Sequence, residues 1–333
     1  MKMERNCRNA MNTYPMNMNT CPMKMIVVVF LTLVSLALCS GNHNDAARRE
    51  LDWSSLKAER PFKGSIVFQS DMDGDREIYL LTEKGLAKLT ENGWDDEFPK
   101  WSPDGKKIAY SANPRGNYDI FIMDADGSDI VQVTSSDKDE VEHGWFPDGN
   151  KLAYTIEQRK GFRKSYSLWM IDLKSKRKSR ILTEFKGSSA LPNFSPAEPL
   201  LGFTGKKTFG WDVFVYDRRA KTATALTEGG KACRPHFSRE GRKIAYVSAE
   251  ADGNGDIWLM NPDGSAKKRL TERDATADYF PSWSPGNEWI VFSSSKKHRI
   301  DKGNWSLYLV HVKTGKTHLL FDSPGRDVFP DWY

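Results

Sequence analysis

Residues 98–126 read FPKWSPDGKKIAYSANPRGNYDIFIMDAD, and residues 234–264 read RPHFSREGRKIAYVSAEADGNGDIWLMNPDG. The two stretches share a Pro-x-aromatic segment, a Lys-Ile-Ala-Tyr segment and an Asp-Ile-aromatic segment in the same order. Weaker copies fill the rest of the chain after residue 64, and one large aromatic residue recurs in each: Trp101, Trp145, Phe194, Phe237, Trp283 and Trp332. The period of roughly 46 residues is typical of a β-propeller blade and exceeds that of most helical repeats.

Each copy contains the signals of four short β-strands. Its segments are rich in Ile, Val, Tyr, Phe and Trp, and Asp-Gly pairs such as Asp104-Gly105 mark tight turns between them. We name the strands inner, second, third and outer, beginning with the Pro-x-aromatic segment. Antiparallel order places the inner-to-second and third-to-outer turns on one face, the turn face. The longer second-to-third hairpins and the links between blades share the opposite face, the loop face.

The two ends of the repeat region predict how the structure closes. Residues 65–90 supply a second, a third and an outer strand, whereas residues 327–333 supply an inner strand with nothing after it. Pairing the last strand with the first completes six blades and leaves no exposed sheet edge. The sequence therefore predicts an all-β fold over residues 64–333: a six-bladed β-propeller of four-stranded blades, with the first blade closed by the C-terminal strand.

The repeat resembles that of the TolB β-propeller family. The pattern FP-x-WSPDG-x-x-IAY-S…D-I-F-x-MD-x-DG…LT carries the resemblance, which extends over about residues 64–333. Related repeats occur in the propeller domains of prolyl-oligopeptidase-type enzymes. The resemblance implies a periplasmic component of an envelope system that binds proteins. TolB proteins carry an α/β domain before the propeller, and here only a short tether fits, so we expect a stand-alone propeller.

The residues before the propeller predict export. Residues 26–38 (IVVVFLTLVSLAL) form an uncharged, mainly apolar run that is shorter than the about 20 residues needed to span a membrane. A short basic lead precedes the run, as in a secretory signal. We interpret residues 1–39 as a signal sequence whose true start is Met23, and residues 40–63 as a polar tether. We expect the protein in the periplasm or at the cell surface.

A lipid anchor is a separate hypothesis. Cys39 follows Leu36-Ala37-Leu38 in the manner of a bacterial lipobox, in which the cysteine becomes the lipidated first residue. Leu38 departs from this pattern, because the motif has a small residue at that position. Lipidation of Cys39 and ordinary cleavage near residue 37 both stay open, and such an anchor is the expected route of membrane contact.

Charge and cysteine content exclude several classes of protein. The chain of 333 residues is 39% hydrophobic and 28% charged, which is typical of a globular protein. Its formal net charge is +5, but most of the excess precedes residue 40, so we expect no nucleic-acid partner. Three of the four cysteines also precede residue 40. Cys233 is therefore alone in the propeller, where it cannot form an internal disulfide.

Alignment of the inner strands identifies a repeated acidic position at the loop-face mouth of the channel. The aligned residues are Asp96, Glu140, Ser189, Ala232, Asp278 and Asp327. The four acids predict either an electronegative rim for a basic partner segment or a cation, or a set of carboxylates that each accept hydrogen bonds from their own turn.

Four further residues are candidates for binding. His143 and His236 lie on inner strands and are expected to approach the channel, but their spacing does not predict a metal site. Trp211 and Trp305 lie beside irregular loops of the loop face and are expected to be apolar anchors.

The favoured function is that of a non-enzymatic binding module of the cell envelope. We expect a monomer that needs no cofactor and binds an envelope protein or peptide over the channel mouth, with an anionic glycan as another potential ligand. The sequence contains no Gly-x-Ser-x-Gly, His-Glu-x-x-His or P-loop motif. The alternative is a polysaccharide lyase or glycosidase that uses rim carboxylates together with His143 or His236.

Overall fold

A computed structural model describes residues 62–161, 163–273, 276–295 and 304–333. The described residues form 24 strands, arranged as six four-stranded antiparallel sheets, and contain no helix. Accordingly, no described helix could cross a membrane. The predicted signal sequence, Cys39 and nearly all of the predicted tether lie outside the described residues.

The first three blades are built from residues 65–180 together with the C-terminal strand. The strands of blade 1, from the inner to the outer, are β24 (Val328–Trp332), β1 (Ser65–Ser70), β2 (Glu77–Thr82) and β3 (Gly85–Lys88). Those of blade 2 are β4 (Asp96–Trp101), β5 (Lys107–Ala112), β6 (Asp119–Asp124) and β7 (Val131–Gln132). Those of blade 3 are β8 (Asp139–Trp145), β9 (Lys151–Lys160), β10 (Arg163–Asp172) and β11 (Lys178–Arg180).

The remaining three blades follow in chain order. The strands of blade 4 are β12 (Ser188–Phe194), β13 (Leu200–Lys206), β14 (Asp212–Asp217) and β15 (Thr222–Ala225). Those of blade 5 are β16 (Ala232–Phe237), β17 (Ile244–Ser248), β18 (Asp256–Met260) and β19 (Lys268–Arg269). Those of blade 6 are β20 (Ala277–Trp283), β21 (Trp289–Ser295), β22 (Trp305–His311) and β23 (Thr317–Phe321).

The C-terminal strand closes the ring as the sequence predicts. Strand β24 pairs antiparallel with β1, so that Trp332 lies opposite Ile66. Beyond the strand, the backbones of Ser65 and Tyr333 exchange two hydrogen bonds of 2.6 and 2.8 Å. The Tyr333 ring lies against Gly105 of blade 2, where a side chain would collide with it. The last residue therefore joins blade 1 to its neighbour.

The repeated sequence signals make the contacts that hold the third strands. A threonine at the end of the outer segment accepts the backbone N–H of the isoleucine or valine near the start of the third strand, in the pairs Ile78–Thr90, Ile120–Thr134, Val213–Thr227 and Ile257–Thr271. In two blades the threonine hydroxyl also donates to the preceding acid, Glu77 or Asp212. The distant Asp-Ile-aromatic and Leu-Thr segments of the repeat thus meet in space.

The recurring aromatic residues join adjacent blades. The Trp145 indole N–H donates to the carbonyl of Lys100 in blade 2, at 3.1 Å, and that of Trp283 donates to the carbonyl of His236 in blade 5, at 2.9 Å. Both indoles are buried, so each provides apolar contact area together with a satisfied polar group. The hydrogen bond does not explain the recurrence, because two blades have phenylalanine at this position; burial of an aromatic ring is what all six copies share.

Every inner strand contains a bulge at the same place. One residue in each has a positive φ of 48–60°, which is strained for a residue other than glycine: Phe98, Glu142, Leu191, Arg234, Phe280 and Phe329. The strand pairing shifts register around each of them. The six bulges fix which side chains line the channel.

Candidate functional site: the channel and its turn-face mouth

The inner strands contribute three successive layers of residues to the channel. The first layer, toward the loop face, is the six bulge residues. The second layer contains five prolines and one histidine: Pro99, His143, Pro192, Pro235, Pro281 and Pro330. The third layer, toward the turn face, is Lys100, Gly144, Asn193, His236, Ser282 and Asp331. Most of these residues surround a cavity of ≈ 70 Å³.

The bulge layer narrows the channel toward the loop face. The Phe329 ring contacts the rings of Phe280 and Phe98, with centroids 3.9 and 4.5 Å away. The Arg234 guanidinium lies over the Phe280 ring at 4.4 Å and reaches within 3.9 Å of the Glu142 carboxylate. Burial raises the pKa of Glu142 to about 7, against the opposing effect of Arg234. The layer therefore combines an aromatic cluster with one buried ionic contact.

The third layer contains a charged cluster. Asp331 accepts hydrogen bonds from the Lys100 ammonium at 3.1 Å and from the Ser282 hydroxyl at 3.1 Å. Its other oxygen accepts the backbone N–H of Trp101 at 2.9 Å. Burial alone would raise the pKa of Asp331, but the nearby Lys100, His236 and Arg239 outweigh it and hold the pKa below its usual value. Asp331 is therefore ionised at neutral pH.

The two channel histidines are neutral. Burial lowers the pKa of both His143 and His236 to about 4. The Ala109 backbone carbonyl beside His143 and the Asp331 carboxylate beside His236 oppose this effect, because they favour the charged forms. The Nε2 atom of His236 lies 3.6 Å from the Asp331 carboxylate. His143 is 2% exposed, and its ring lies beside the Ala109 backbone carbonyl, although neither ring nitrogen makes a hydrogen bond of good geometry within the described part of the chain.

The channel widens toward the turn face. A cavity of ≈ 180 Å³ extends from the third layer to the inner-to-second turns and includes Arg239 in its wall. Beside it lies a larger pocket of ≈ 1420 Å³, whose apolar wall contains Trp289, Leu309, Trp332 and Tyr333. Polar groups on the wall of this pocket come from Lys63, Arg239, Glu288 and His318.

The four acids of the predicted rim do not face the solvent. Asp96, Glu140, Asp278 and Asp327 are at most 1% exposed. Each lies two residues before the bulge residue of its blade, so their equivalence by alignment is correct. The structure thus offers no exposed carboxylate at these positions for contact with a partner.

Each rim acid instead accepts hydrogen bonds from nearby side chains or turns. The donors are the Asn92 amide for Asp96, the Lys178 ammonium for Glu140, the Ser294 hydroxyl for Asp278, and the Ser70 and Ser323 hydroxyls for Asp327. The Ser323 backbone N–H also donates to Asp327, at 3.0 Å. Burial raises the pKa of all four acids. This geometry is the one expected for carboxylates that stabilise the blade termini.

Trp211 and Trp305 are not exposed anchors, and this expectation was wrong. They are 4% and 0% exposed; Trp211 immediately precedes the third strand of its blade, and Trp305 is the first residue of that strand in its blade. Trp211 packs edge-on against Tyr166, and Trp305 packs against Tyr279. The residues that follow irregular loops therefore point inward between blades. The loop face exposes Phe209 instead, at 92%, and Trp94 to a smaller extent.

Three channel residues that break the repeat, Glu142, Arg234 and Arg239, were not among the predicted site residues. The predicted His143 also breaks it, because the other five blades have proline at its position, and Arg239 stands where four blades have the proline of the Ser-Pro turn or its equivalent. Glu142 and Arg234 replace apolar residues of the bulge layer. A position-by-position comparison of the six repeats identifies these residues. Because most blades fold with the repeated residue, a residue that departs from it is not required for the blade to fold. No group of His, Cys, Asp or Glu suited to a metal ion occurs among the residues described.

A closed ring of six four-stranded sheets around a central channel defines a six-bladed β-propeller. This chain belongs to the TolB β-propeller domain family, whose model matches residues 58–166 and 162–300.

Individual relatives are similar over part of the chain. The TolB protein of the Tol-Pal system from Francisella tularensis subsp. mediasiatica is 28% identical over 233 residues, covering 67% of this chain and 52% of its own. An uncharacterized protein of Agrobacterium fabrum, Atu1656, is 29% identical over 146 residues, covering 42% of this chain and 49% of its own. The chain thus spans about half the length of these relatives.

Solved structures share the fold at lower sequence identity. TolB from Acinetobacter baumannii superimposes with a TM-score of 0.67 at 19% identity, covering 81% of this chain and 66% of that chain. A putative TolB from Agrobacterium tumefaciens gives a TM-score of 0.63 at 22% identity, covering 80% and 92%.

Proposed function

We propose that the protein is an exported, non-enzymatic β-propeller that binds a protein or peptide of the cell envelope over the turn-face mouth of its channel. The observation that carries this proposal is the pocket of ≈ 1420 Å³ beside the mouth. Its wall combines Trp289, Leu309, Trp332 and Tyr333 with both acidic and basic side chains. Aromatic anchors within a mixed polar surround are typical of sites that bind proteins.

The comparisons support the envelope setting of the proposal. Several relatives are named as TolB proteins of the Tol-Pal system or as TolB homologues. The predicted signal sequence supports the same compartment. This chain matches only part of those proteins, so the relatives support the compartment and do not name the partner.

Binding at the turn face differs from the site that the sequence favoured. The loop-face acids are enclosed by their own hydrogen bonds, whereas the turn face carries the two wider cavities of the channel. The same enclosure removes the support for a lyase or glycosidase, since Asp96, Asp278 and Asp327 are not accessible to a polysaccharide. Recognition therefore depends on the pocket and the exposed turns around it.

A pair of matched surface variants tests the proposal. Pro285→Glu places a charge on an exposed turn in the wall of the turn-face pocket, and Phe209→Glu places one on the exposed aromatic residue of the loop face. Thermal unfolding first establishes that both variants are folded. The wild type and each variant are then used to capture partners from envelope extracts. We expect the wild type and Phe209→Glu to recover the same envelope protein and Pro285→Glu to lose it. Loss in Phe209→Glu alone would refute the turn-face site, and absence of any specific partner would refute the binding function.

A further inference from the structure

The ≈ 180 Å³ cavity at the turn-face end of the channel contains more positive than negative charge. Lys100 and Arg239 are the cationic groups in its wall, and Asp331 is the acidic one. The two histidines are neutral at pH 7, because burial lowers the pKa of each to about 4. The cavity wall therefore carries a net charge of about +1 at neutral pH. The low dielectric constant of a buried site strengthens the attraction of this charge for an anion.

The same cavity contains buried polar groups without partners. The Arg239 Nε–H makes no hydrogen bond within the described residues, and the His143 ring has only the Ala109 backbone carbonyl beside it, without a hydrogen bond of good geometry. A neutral imidazole supplies one N–H donor and one acceptor. The remaining polar contacts are internal: Lys100 donates to Asp331, and Arg239 donates through Nη2 to the Trp332 carbonyl. Buried donors without partners are rare in native proteins and indicate a water molecule or a ligand.

Two of these groups replace the residue that the repeat otherwise uses. His143 stands in a layer of prolines, and Arg239 stands where Pro103, Pro147 and Pro196 occur in other blades. The prolines at these positions show that a blade folds without a polar side chain there. Both departures face the same cavity, although they belong to blades 3 and 5.

We propose that this cavity binds a small oxyanion, namely a phosphate or a carboxylate group. The Lys100 ammonium and the Arg239 guanidinium supply the attraction, and the unpartnered Arg239 Nε–H supplies a hydrogen bond to oxygen, with the His143 ring beside it. Charge-assisted hydrogen bonds of this kind are stronger than neutral ones. Asp331 orients Lys100 and reduces the attraction. The cavity shares Arg239 with the wall of the larger pocket, but the proposed anion binding does not depend on the proposed function.

Asp331 can be neutralised without losing its structural contact. Asn193 occupies the equivalent position in blade 4 and accepts the backbone N–H of Phe237 at 2.8 Å, as Asp331 does for Trp101. Asp331→Asn is therefore expected to fold, to raise the net charge of the cavity by one and to tighten anion binding. Lys100→Met in the Asp331→Asn background removes the cation without leaving a buried carboxylate unpaired.

The experiment follows the imidazole nitrogens of the protein labelled with ¹⁵N-histidine. Sodium phosphate, and in a second series sodium acetate, is titrated at constant ionic strength in chloride. We expect saturable shifts of His143 and His236, whereas His311 and His318 lie outside the cavity and serve as internal references. Asp331→Asn should bind about tenfold or more tightly than wild type, and the double variant about tenfold or more weakly than Asp331→Asn.

The outcomes separate a built site from a chance ion. Saturation with the predicted order of affinities supports the site, and the tighter of the two anions identifies the preferred group. Saturation with equal affinity in all three proteins would mean an adventitious ion only and would overturn the proposal. Absence of saturation with both anions would overturn it as well.

Discussion

Asp96 offers a sharp test of how burial controls the stability of this fold. The carboxylate is fully buried at the start of β4, where one oxygen accepts the Asn92 amide at 2.7 Å. The other oxygen has no partner within the described residues. Burial, with a contribution from the nearby Glu77 carboxylate, raises the pKa of Asp96 from 3.8 to about 8.

The raised pKa determines the sign of the pH dependence. Between the two pKa values the folded protein holds a proton that the unfolded chain has lost, so the free energy of unfolding falls as the pH rises. The slope is about 1.4 kcal/mol for each pH unit, or about 3 kcal/mol between about pH 5 and about pH 7. This contribution is fully present below pH 4 and is lost as the pH approaches 8.

Asp96→Asn should remove this slope. The new amide can accept from Asn92 through its oxygen and donate toward Glu77 through its nitrogen. We therefore expect little change in stability near pH 5 and a gain of about 2–3 kcal/mol near pH 7. Urea unfolding followed by tryptophan fluorescence at several pH values measures both quantities.

The control variant is Asp126→Asn. Asp126 lies in an exposed turn, where hydrogen bonds from Ser128 lower its pKa, so its replacement should leave the slope of the wild type intact. The reasoning is refuted if Asp96→Asn retains the pH dependence of the wild type, or if it is destabilised by the same amount at every pH.

Three other perturbations test the channel, the blade contacts and the ring closure. Arg234→Met leaves Glu142 buried without its cation. Because the pKa of Glu142 is about 7, the loss in the free energy of unfolding should be small near pH 7 and reach about 3 kcal/mol near about pH 9. Addition of Glu142→Gln should restore most of the loss in urea unfolding at the higher pH, and failure to do so would contradict the pairing. Gly255→Ala places a Cβ in collision with the Tyr279 ring and should cost about 1–3 kcal/mol, whereas the Cβ of Gly286→Ala meets no neighbouring atom, so this control variant should be neutral in the same assay. Removal of residues 328–333 deletes β24, and we expect hydrogen exchange to show loss of protection in β1 and its blade; unchanged protection of β1 would exclude closure by this strand.

The number and order of the strands are readable from the sequence because they depend on local patterns. Strand propensity, turn residues and the roughly 46-residue period are properties of short segments, and each recurs in every blade. Closure by β24 is also predictable, because residues 65–90 lack an inner strand and the chain ends with one. The equivalence of Asp96, Glu140, Asp278 and Asp327 is correct for the same reason.

The direction in which the site residues point is not readable in this way. Trp211 and Trp305 follow irregular loops and were therefore expected at the surface, yet both side chains turn inward between blades. The end of an irregular loop in the sequence indicates where strand pairing begins. Whether the side chain at that point is buried depends on the neighbouring blade. The rim acids show the same limit, since Glu140, Asp278 and Asp327 each accept a hydrogen bond from a donor on another strand.

The amino-acid sequence by itself determined a ring of six blades and the strand that closes it. Only the tertiary structure decided that the channel narrows at the bulge layer and that Lys100, His143, His236, Arg239 and Asp331 meet at its turn-face end. These residues come from four blades and lie up to 231 positions apart in the chain. Their proximity depends on how the sheets close around one axis, and no local pattern of side chains encodes that geometry.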